Sequence, residues 1–225
     1  MKLSPETLAI LSNFATINPN LVVNQGNVLT TVNGGVKAIL ATATITESFP
    51  QSFGIYDLGE FLKALSLVSD AELEFTADSV LLVDGRRKVK YRFSDPSVLS
   101  APPAKKLVLP SADLEITLTG ETLNAIRKAA GVFGHTVVAI TGKKGVISAE
   151  VFDPKNDSAN TYSVVVDENN SCKNEFNFQF LIGNLKLLDG DYNVAISSKF
   201  LSKWVNTTSP VEYFLALEKT SSFNS

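Results

Sequence analysis

The chain has 225 residues, 44% of them hydrophobic and 19% charged, with a formal net charge of −3 at pH 7; that composition excludes a disordered chain and can fill one large or two small hydrophobic cores. The single cysteine, Cys172, excludes an intramolecular disulfide and a cysteine-based zinc cluster, and no run reaches the roughly 18 apolar residues of a membrane span. The acidic balance excludes a surface basic throughout but not a local cationic patch, so the placement of lysine and arginine matters more than their sum.

In chain order, the opening MKLSPETLAIL has no continuous apolar region or small-residue cleavage site, so no secretion signal is expected and a reducing cytosol fits. Ser4, Pro5 and Glu6 form a helix start, with Leu8, Leu11 and Ala15 on one face. Val28 to Thr31 and Val36 to Ile45 are β-branched-rich runs joined through Asn33-Gly34-Gly35, which predicts a hairpin. Asp57 caps a second predicted helix carrying Leu58, Phe61, Leu62 and Leu65, and a second hairpin joins Leu81-Leu82-Val83 to Lys88–Phe93 around Asp84-Gly85. The stretch from Ser94 to Pro110 holds Pro96, Pro102, Pro103 and Pro110 and reads as a connector.

Beyond it Thr119 precedes Glu121 and a third helix with Leu123, Ile126 and Ala130 on one face. Val137 to Thr141 and Val146 to Phe152 flank the loop Gly142-Lys143-Lys144-Gly145 as a third hairpin. Leu181, Leu185 and Leu188 at helical spacing predict a fourth helix over 180–188, stopping before Asp189-Gly190. The four helices are arranged as a repeat. Leu3-Ser-Pro-Glu-Thr-Leu8 recurs as Leu118-Thr-Gly-Glu-Thr-Leu123, and Phe61–Val68 is answered more loosely by Leu181–Leu188. The expected organisation is therefore α+β with two similar domains, 1–95 and 111–225, joined by a connector over 96–110.

No catalytic set emerges. His135 has no partner residues in the sequence pattern for a general base or metal ligand, and Gly142-Lys-Lys-Gly145 lacks the spacing and following helix of a phosphate loop. Asp189-Gly190-Asp191 reads as a turn, and Glu47, Glu72, Glu74, Asp189 and Asp191 cannot be paired into a glycosidase from sequence. No metal or cofactor is expected. Cations do gather on helix faces: Asn124, Arg127 and Lys128 lie opposite the apolar face of the third helix, and Lys63 with Ser66 on the polar face of the second. The repeat places Lys186 at the position of Ser66. Backbone phosphates are their natural partners, and a solvated helix face is the plain alternative for each one alone. Arg86-Arg87-Lys88 with Lys90, Lys143-Lys144 and Lys105-Lys106 read first as solubilising loops.

MKLS with NFATIN, then IYDLGEFLKALSLV, then FNFQFLIGNLKLLDGDY resemble the sliding clamps of T-even-type bacteriophages in order and spacing. The resemblance implies a DNA-clamp fold, with three chains closing as a homotrimer around DNA, helices lining the hole and antiparallel sheets outside. It implies a non-enzymatic processivity factor with three partners: duplex DNA bound without sequence preference, a replicative DNA polymerase, and an ATP-dependent clamp loader. No membrane is involved, and the cytoplasm of an infected bacterial host is the expected location. Four helices in each of three chains would surround a hole of about 28 Å. Lys63, Arg127, Lys128 and Lys186 are then the DNA-facing candidates. The first helix departs from the family in carrying no lysine between Ser4 and Phe14. Clamps in general bind client tails beneath the connector near the final strand. Tyr213-Phe-Leu-Ala-Leu217 resembles the closing YYLAP stretch of the eukaryotic clamp, which makes Leu107, Leu109, Phe214, Ala216 and Leu217 the partner-binding candidates. A β-rich phage tail or capsid protein that oligomerises without DNA is the alternative; it would not need cations on repeat-related helix faces.

Overall fold

In the computed structural model, which describes residues 1–103 and 105–224, the chain divides into two units, Met1–Lys106 with Ser209–Val211 and Leu107–Thr208 with Glu212–Ser225. Of the expected connector 96–110, Ala104 lies outside the described residues and Pro96–Val98 forms a single 3-10 turn capped by Asp95.

The first unit opens with α1 (Pro5–Ile17), whose N-cap Ser4 accepts a hydrogen bond from the Thr7 N–H at 3.2 Å. Its buried face is Thr7, Ile10, Leu11, Phe14 and Ile17, one position away from the stripe read in the sequence. Ile10, Phe14 and Ile17 offer more apolar area than Leu8 and Ala15, and burial goes to the larger set. After β1 (Leu21–Val23), the strands β2 (Gly26–Val32) and β3 (Ile39–Phe49) pair antiparallel. The expected tight turn is a wider loop. Asn33 and Ile39 exchange hydrogen bonds across its mouth, leaving Val36 outside the strand and 84% exposed. β4 (Phe53–Ile55) pairs with β1. α2 (Leu58–Ser66), capped by Asp57, buries Leu58, Phe61 and Ala64. β5 (Glu72–Phe75), β6 (Ser79–Asp84) and β7 (Arg87–Arg92) complete the unit as a three-stranded antiparallel sheet in which β7 is an edge. Aromatic rings fill the space behind it, with Phe53 stacked on Phe93 at 4.4 Å.

The second unit runs β8 (Leu114–Leu118), α3 (Gly120–Phe133), β9 (Val137–Lys143), β10 (Val146–Phe152), β11 (Tyr162–Asp167), β12 (Glu175–Leu181), β13 (Tyr192–Ser197), β14 (Leu201–Asn206), β15 (Val211–Ala216) and β16 (Ser222–Asn224). One antiparallel sheet has the order β11-β10-β9-β12-β16, with β11 at its edge, and β15-β14-β13-β8 run side by side in another. The sheets meet over Trp204, whose ring packs edge-on against Phe180 and Tyr192, and whose N–H donates to Ser202 Oγ at 2.8 Å. The β9–β10 turn is Lys144-Gly145, both at positive φ (55° and 86°), as a two-residue hairpin turn requires. α3 is capped as the sequence predicts, Thr119 Oγ1 accepting from the Thr122 N–H, and it buries Leu123, Ile126, Ala129 and Ala130.

The fourth helix expected over 180–188 does not form. Phe176, Phe178 and Phe180 alternate into the core at 3%, 1% and 1% exposure, so strand periodicity claims the start of the segment. Only one 3-10 turn follows, Ile182–Asn184, containing the poor helix formers Gly183 and Asn184. Leu185 and Leu187 are then buried in an irregular segment. The repeat therefore holds for the capped helices α1 and α3 but not for its second pair, and the expected twelve-helix lining loses one helix from each chain.

A carboxylate from β3 completes the start of α1. Glu47 accepts from the Ser4 N–H and from the Thr7 and Thr46 hydroxyls. Burial opposes its ionisation, but these hydrogen bonds prevail and hold the carboxyl at about 2, below its ordinary 4.5. Its stabilising contribution is thus complete above about pH 5 and is lost as pH falls toward 2. Glu47→Gln is expected to cost about 1–2 kcal/mol at neutral pH. In denaturant melts the gap between variant and parent should close progressively below pH 4.5.

Candidate nucleic-acid interface and partner surface

The cations singled out in the sequence do not share one environment. Lys128 projects from α3 into solvent, as does Asn124 one turn earlier. Lys63 is exposed in the last turn of α2, where the helix dipole favours a positive charge. Lys186 is exposed too, but on the irregular segment after the 3-10 turn rather than on a helix.

Arg127 differs from all three. Its guanidinium donates from Nη2 to the Leu185 carbonyl at 2.9 Å and the Leu187 carbonyl at 3.2 Å, and from Nη1 to Asn124 Oδ1 at 3.4 Å. Asp189 lies 3.7 Å away as an ion partner, and the Arg127 side chain is only 27% exposed. The planar fork thus replaces the i+4 N–H donors that two carbonyls of a helix would have had. Since Lys186 sits between the two residues so gripped, Arg127 brings the loop carrying Lys186 against the helix carrying Lys128. Helical spacing alone could not reveal this, because the acceptors are main-chain atoms 58 and 60 residues away.

The helices carry less positive charge than the sequence reading implied. Glu6 on α1, Glu60 on α2 and Glu121 on α3 balance Lys63, Arg127 and Lys128. Each acid sits in the first turn of its helix, where it stabilises the N-terminus. No group of three or more metal-ligating side chains that could hold a metal occurs among the described residues, and no helix there is long and apolar enough to cross a membrane.

At the partner-binding candidates, the side chains are largely packed away. Phe214 is 4% exposed and Leu217 6%, whereas Ala216, Leu107 and Leu109 are half-buried. Phe214 faces away from Tyr213, on the side of β15 shared with Lys203, whose ammonium lies 5.8 Å from the Phe214 ring centroid and pairs with Glu212 at 2.8 Å. Tyr213 points into the core; its oxygen accepts from the Leu188 N–H at 3.1 Å, and burial pushes its hydroxyl pKa far up. Lys203 and Glu212 were not singled out in the sequence; only the cross-strand register, which pairs Lys203 with Phe214, marks them.

Comparison with known proteins covers both units. The model for DNA polymerase processivity factors matches residues 3–98, and that for the C-terminal part of the gp45 sliding clamp matches residues 115–219. The sliding clamp of Vibrio phage KVP40 is 33% identical over 223 residues, covering 97% of this chain and 99% of that protein. That of Escherichia phage RB69 is 32% identical over 98% of both, and that of Enterobacteria phage T4 34% identical over 88% of both. Among solved structures, A. fulgidus PCNA bound to the C-terminal region of FEN-1 superposes with a TM-score of 0.72 at 13% identity, covering 96% of each chain. Caulobacter crescentus pol III beta gives 0.69 at 14%, covering 96% of this chain and 64% of that one. The fold is accordingly the two-domain clamp fold.

The two neighbouring cations of α3 should separate in stability measurements. Arg127→Ala strands two carbonyls and frees the 185–188 segment, an expected cost of about 2–3 kcal/mol. Lys128→Ala should stay within about 0.5 kcal/mol of the parent. Urea melts of both variants check the contrast, and equal effects would remove the positioning role assigned to Arg127.

Proposed function

We propose that this chain, which belongs to the sliding-clamp family of DNA polymerase processivity factors, closes as a homotrimeric ring around duplex DNA and holds a replicative polymerase there without catalysing a reaction itself. The observation that carries the reading is similarity to three phage sliding clamps over at least 88% of both chains. An ATP-dependent loader would open the ring onto DNA in the cytoplasm of an infected bacterium. The alternative of a phage structural protein has no support in these relatives.

Ring closure has a physical basis in the sheet edges. β5 is met at Leu73 by the Met1 carbonyl, β8 at Glu115 by the Asn170 amide, and β16 is three residues long. β7 and β11 are six residues each, and among the described residues no side chain or loop hydrogen-bonds to their outer backbone groups. Exposed edges of that length invite pairing, and head-to-tail pairing that closes on itself leaves none free. Sedimentation equilibrium should report a trimer or a monomer–trimer mixture; a strict monomer or an open polymer would count against the ring.

Lys63, Lys128 and Lys186 are the proposed phosphate-facing cations, with Arg127 positioning rather than contacting. The balanced charge of the helices favours loose attraction that falls with salt, which a sliding protein tolerates because the link to DNA is topological. The proposed client site uses the half-buried Leu107, Leu109 and Ala216 together with Phe214 and Leu217, all of the second unit. A client tail burying two or three apolar anchors, at about 1.5–3 kcal/mol each before ordering costs, would bind modestly.

Loaded protein should remain on circular DNA and run off the same DNA once linearised, the test of topological linkage. Replacing the exposed Lys63, Lys128 and Lys186 with glutamate reverses three charges per chain. Processivity should fall while thermal stability holds. Reversal of Lys143 and Lys144 at a hairpin tip is the control, and equal loss from both sets would deny those three lysines a special role.

A further inference from the structure

Resting on the ring reading above, we infer that the joint between copies is encoded by charge: a cationic β7 edge on one copy meets an anionic β11 edge on the next, so that assembly responds to ionic strength. Residues 84–92 hold five cations, Arg86, Arg87, Lys88, Lys90 and Arg92, against one carboxylate, Asp84, a net of +4. Asp78, which lies 3.2 Å from Arg92 and 4.0 Å from Lys90, lowers the hairpin only to +3. Around the other edge, residues 150–168 hold five carboxylates, Glu150, Asp153, Asp157, Asp167 and Glu168, against one cation, Lys155, a net of −4. A protein of net charge −3 has thus concentrated opposite charges on β7 and β11, two six-residue strands that each end a sheet.

The acidic side is held in shape. His135 Nε2 lies 2.7 Å from the Asn160 carbonyl and ties down the loop ahead of β11, whose own turns are closed by Asp153 accepting from the Lys155 N–H and Asn156 from the Ser158 N–H. At the far end Asp167 accepts from the Asn169 N–H and from the Asn170 amide. Hydrogen bonds from Asn169 and Asn170 keep the Asp167 carboxyl below its usual range.

Side-chain alternation fixes how such edges can join. On β7, Tyr91 packs its ring 5.1 Å from Phe61 of α2, so Val89 and Tyr91 share the helix-facing side. On β11, Tyr162 and Val164 pair with the fully buried Val151 and Ala149, so they share the side facing α3. A one-residue slip would exchange the faces. An antiparallel joint that keeps apolar against apolar sets Val89 opposite Val164 and Tyr91 opposite Tyr162. The same register sets Lys90 opposite Ser163, on the outer face of both strands. Glu150 is the cross-strand partner of Ser163 one strand further in, and no ion pair engages it among the described residues. At about 4.8 Å per strand, a lysine reaching over the short Ser163 side chain comes within range of that carboxylate.

Analytical ultracentrifugation against salt and charge swaps tests the inference. Between about 0.1 M and about 1 M salt the screening length shrinks from about 10 Å to about 3 Å, and the concentration at half-assembly should rise about tenfold or more. Lys88→Glu with Lys90→Glu should abolish assembly at low salt in a protein whose circular dichroism is unchanged. Adding Glu150→Lys and Glu168→Lys to that variant should restore it. A parent that is monomeric at every salt concentration would sink the ring reading itself. A parent trimer indifferent to salt and to the β7 reversal would leave the ring standing and overturn the charge code, as would a folded four-residue swap that stays monomeric.

Discussion

A β-strand at the edge of a sheet carries a row of N–H and C=O groups with nothing to bond, and the organisation of this protein follows from where those rows are left open. Two of the edges are met by local devices: β5 by the Met1 backbone against Leu73, and β8 by Asn170 against Glu115. β7 and β11 are left bare, although each has six residues and half-buried apolar side chains on one face. Sheets that tolerate such edges protect them with charge or with a partner. Here charge is present with opposite sign at the two edges, which repels like edges and so favours head-to-tail joining over random aggregation. In the proposed ring the same feature would serve both solubility of the free chain and specificity of the joint.

The modest charge of the helices belongs with the proposed topological mode of holding DNA. First-turn acids at Glu6, Glu60 and Glu121 stabilise helix starts at the cost of cancelling cations nearby. A protein that gripped phosphates could not accept that cancellation, because its affinity would depend on the net field. A ring can accept it. The proposed ring would need only weak attraction without a deep well that would stall movement, a need that three exposed lysines per chain would meet better than a continuous basic groove.

Where local chemistry decides structure, the sequence was legible. Ser4 and Thr119 cap α1 and α3 through the hydroxyl–N–H bonds their positions implied, and the hairpins read around Asp84-Gly85 and Gly142–Gly145 form, turning at Gly85-Arg86 and Lys144-Gly145. The family, too, was legible from short blocks along the chain, and the relatives bear it out. The failure lies at 180–188, where Leu181, Leu185 and Leu188 satisfy helical spacing while Phe176, Phe178 and Phe180 satisfy strand spacing. Both periodicities are present, and pairing with β9 and β16 decides between them. Tertiary hydrogen bonding of that kind has no signature in a window of neighbours. Phe214 illustrates the same limit from the other side: its place in the final strand could be read, but not its 4% exposure.

Arg127 joins these strands of the account. A segment without helical hydrogen bonds must find donors for its carbonyls, and burying Leu185 and Leu187 on either side of Lys186 removes water as the easy choice. A guanidinium on the facing helix supplies two donors from one nitrogen, and a lysine at that position would lack the rigid fork that holds both at once. The residue that looked most suited to a phosphate is therefore committed to the main chain. Its effect on any phosphate would be exerted through Lys186, whose backbone it holds on both sides, and through the short reach from there to Lys128. The density of positive charge on this face thus depends on a structural arginine that contributes little accessible charge of its own.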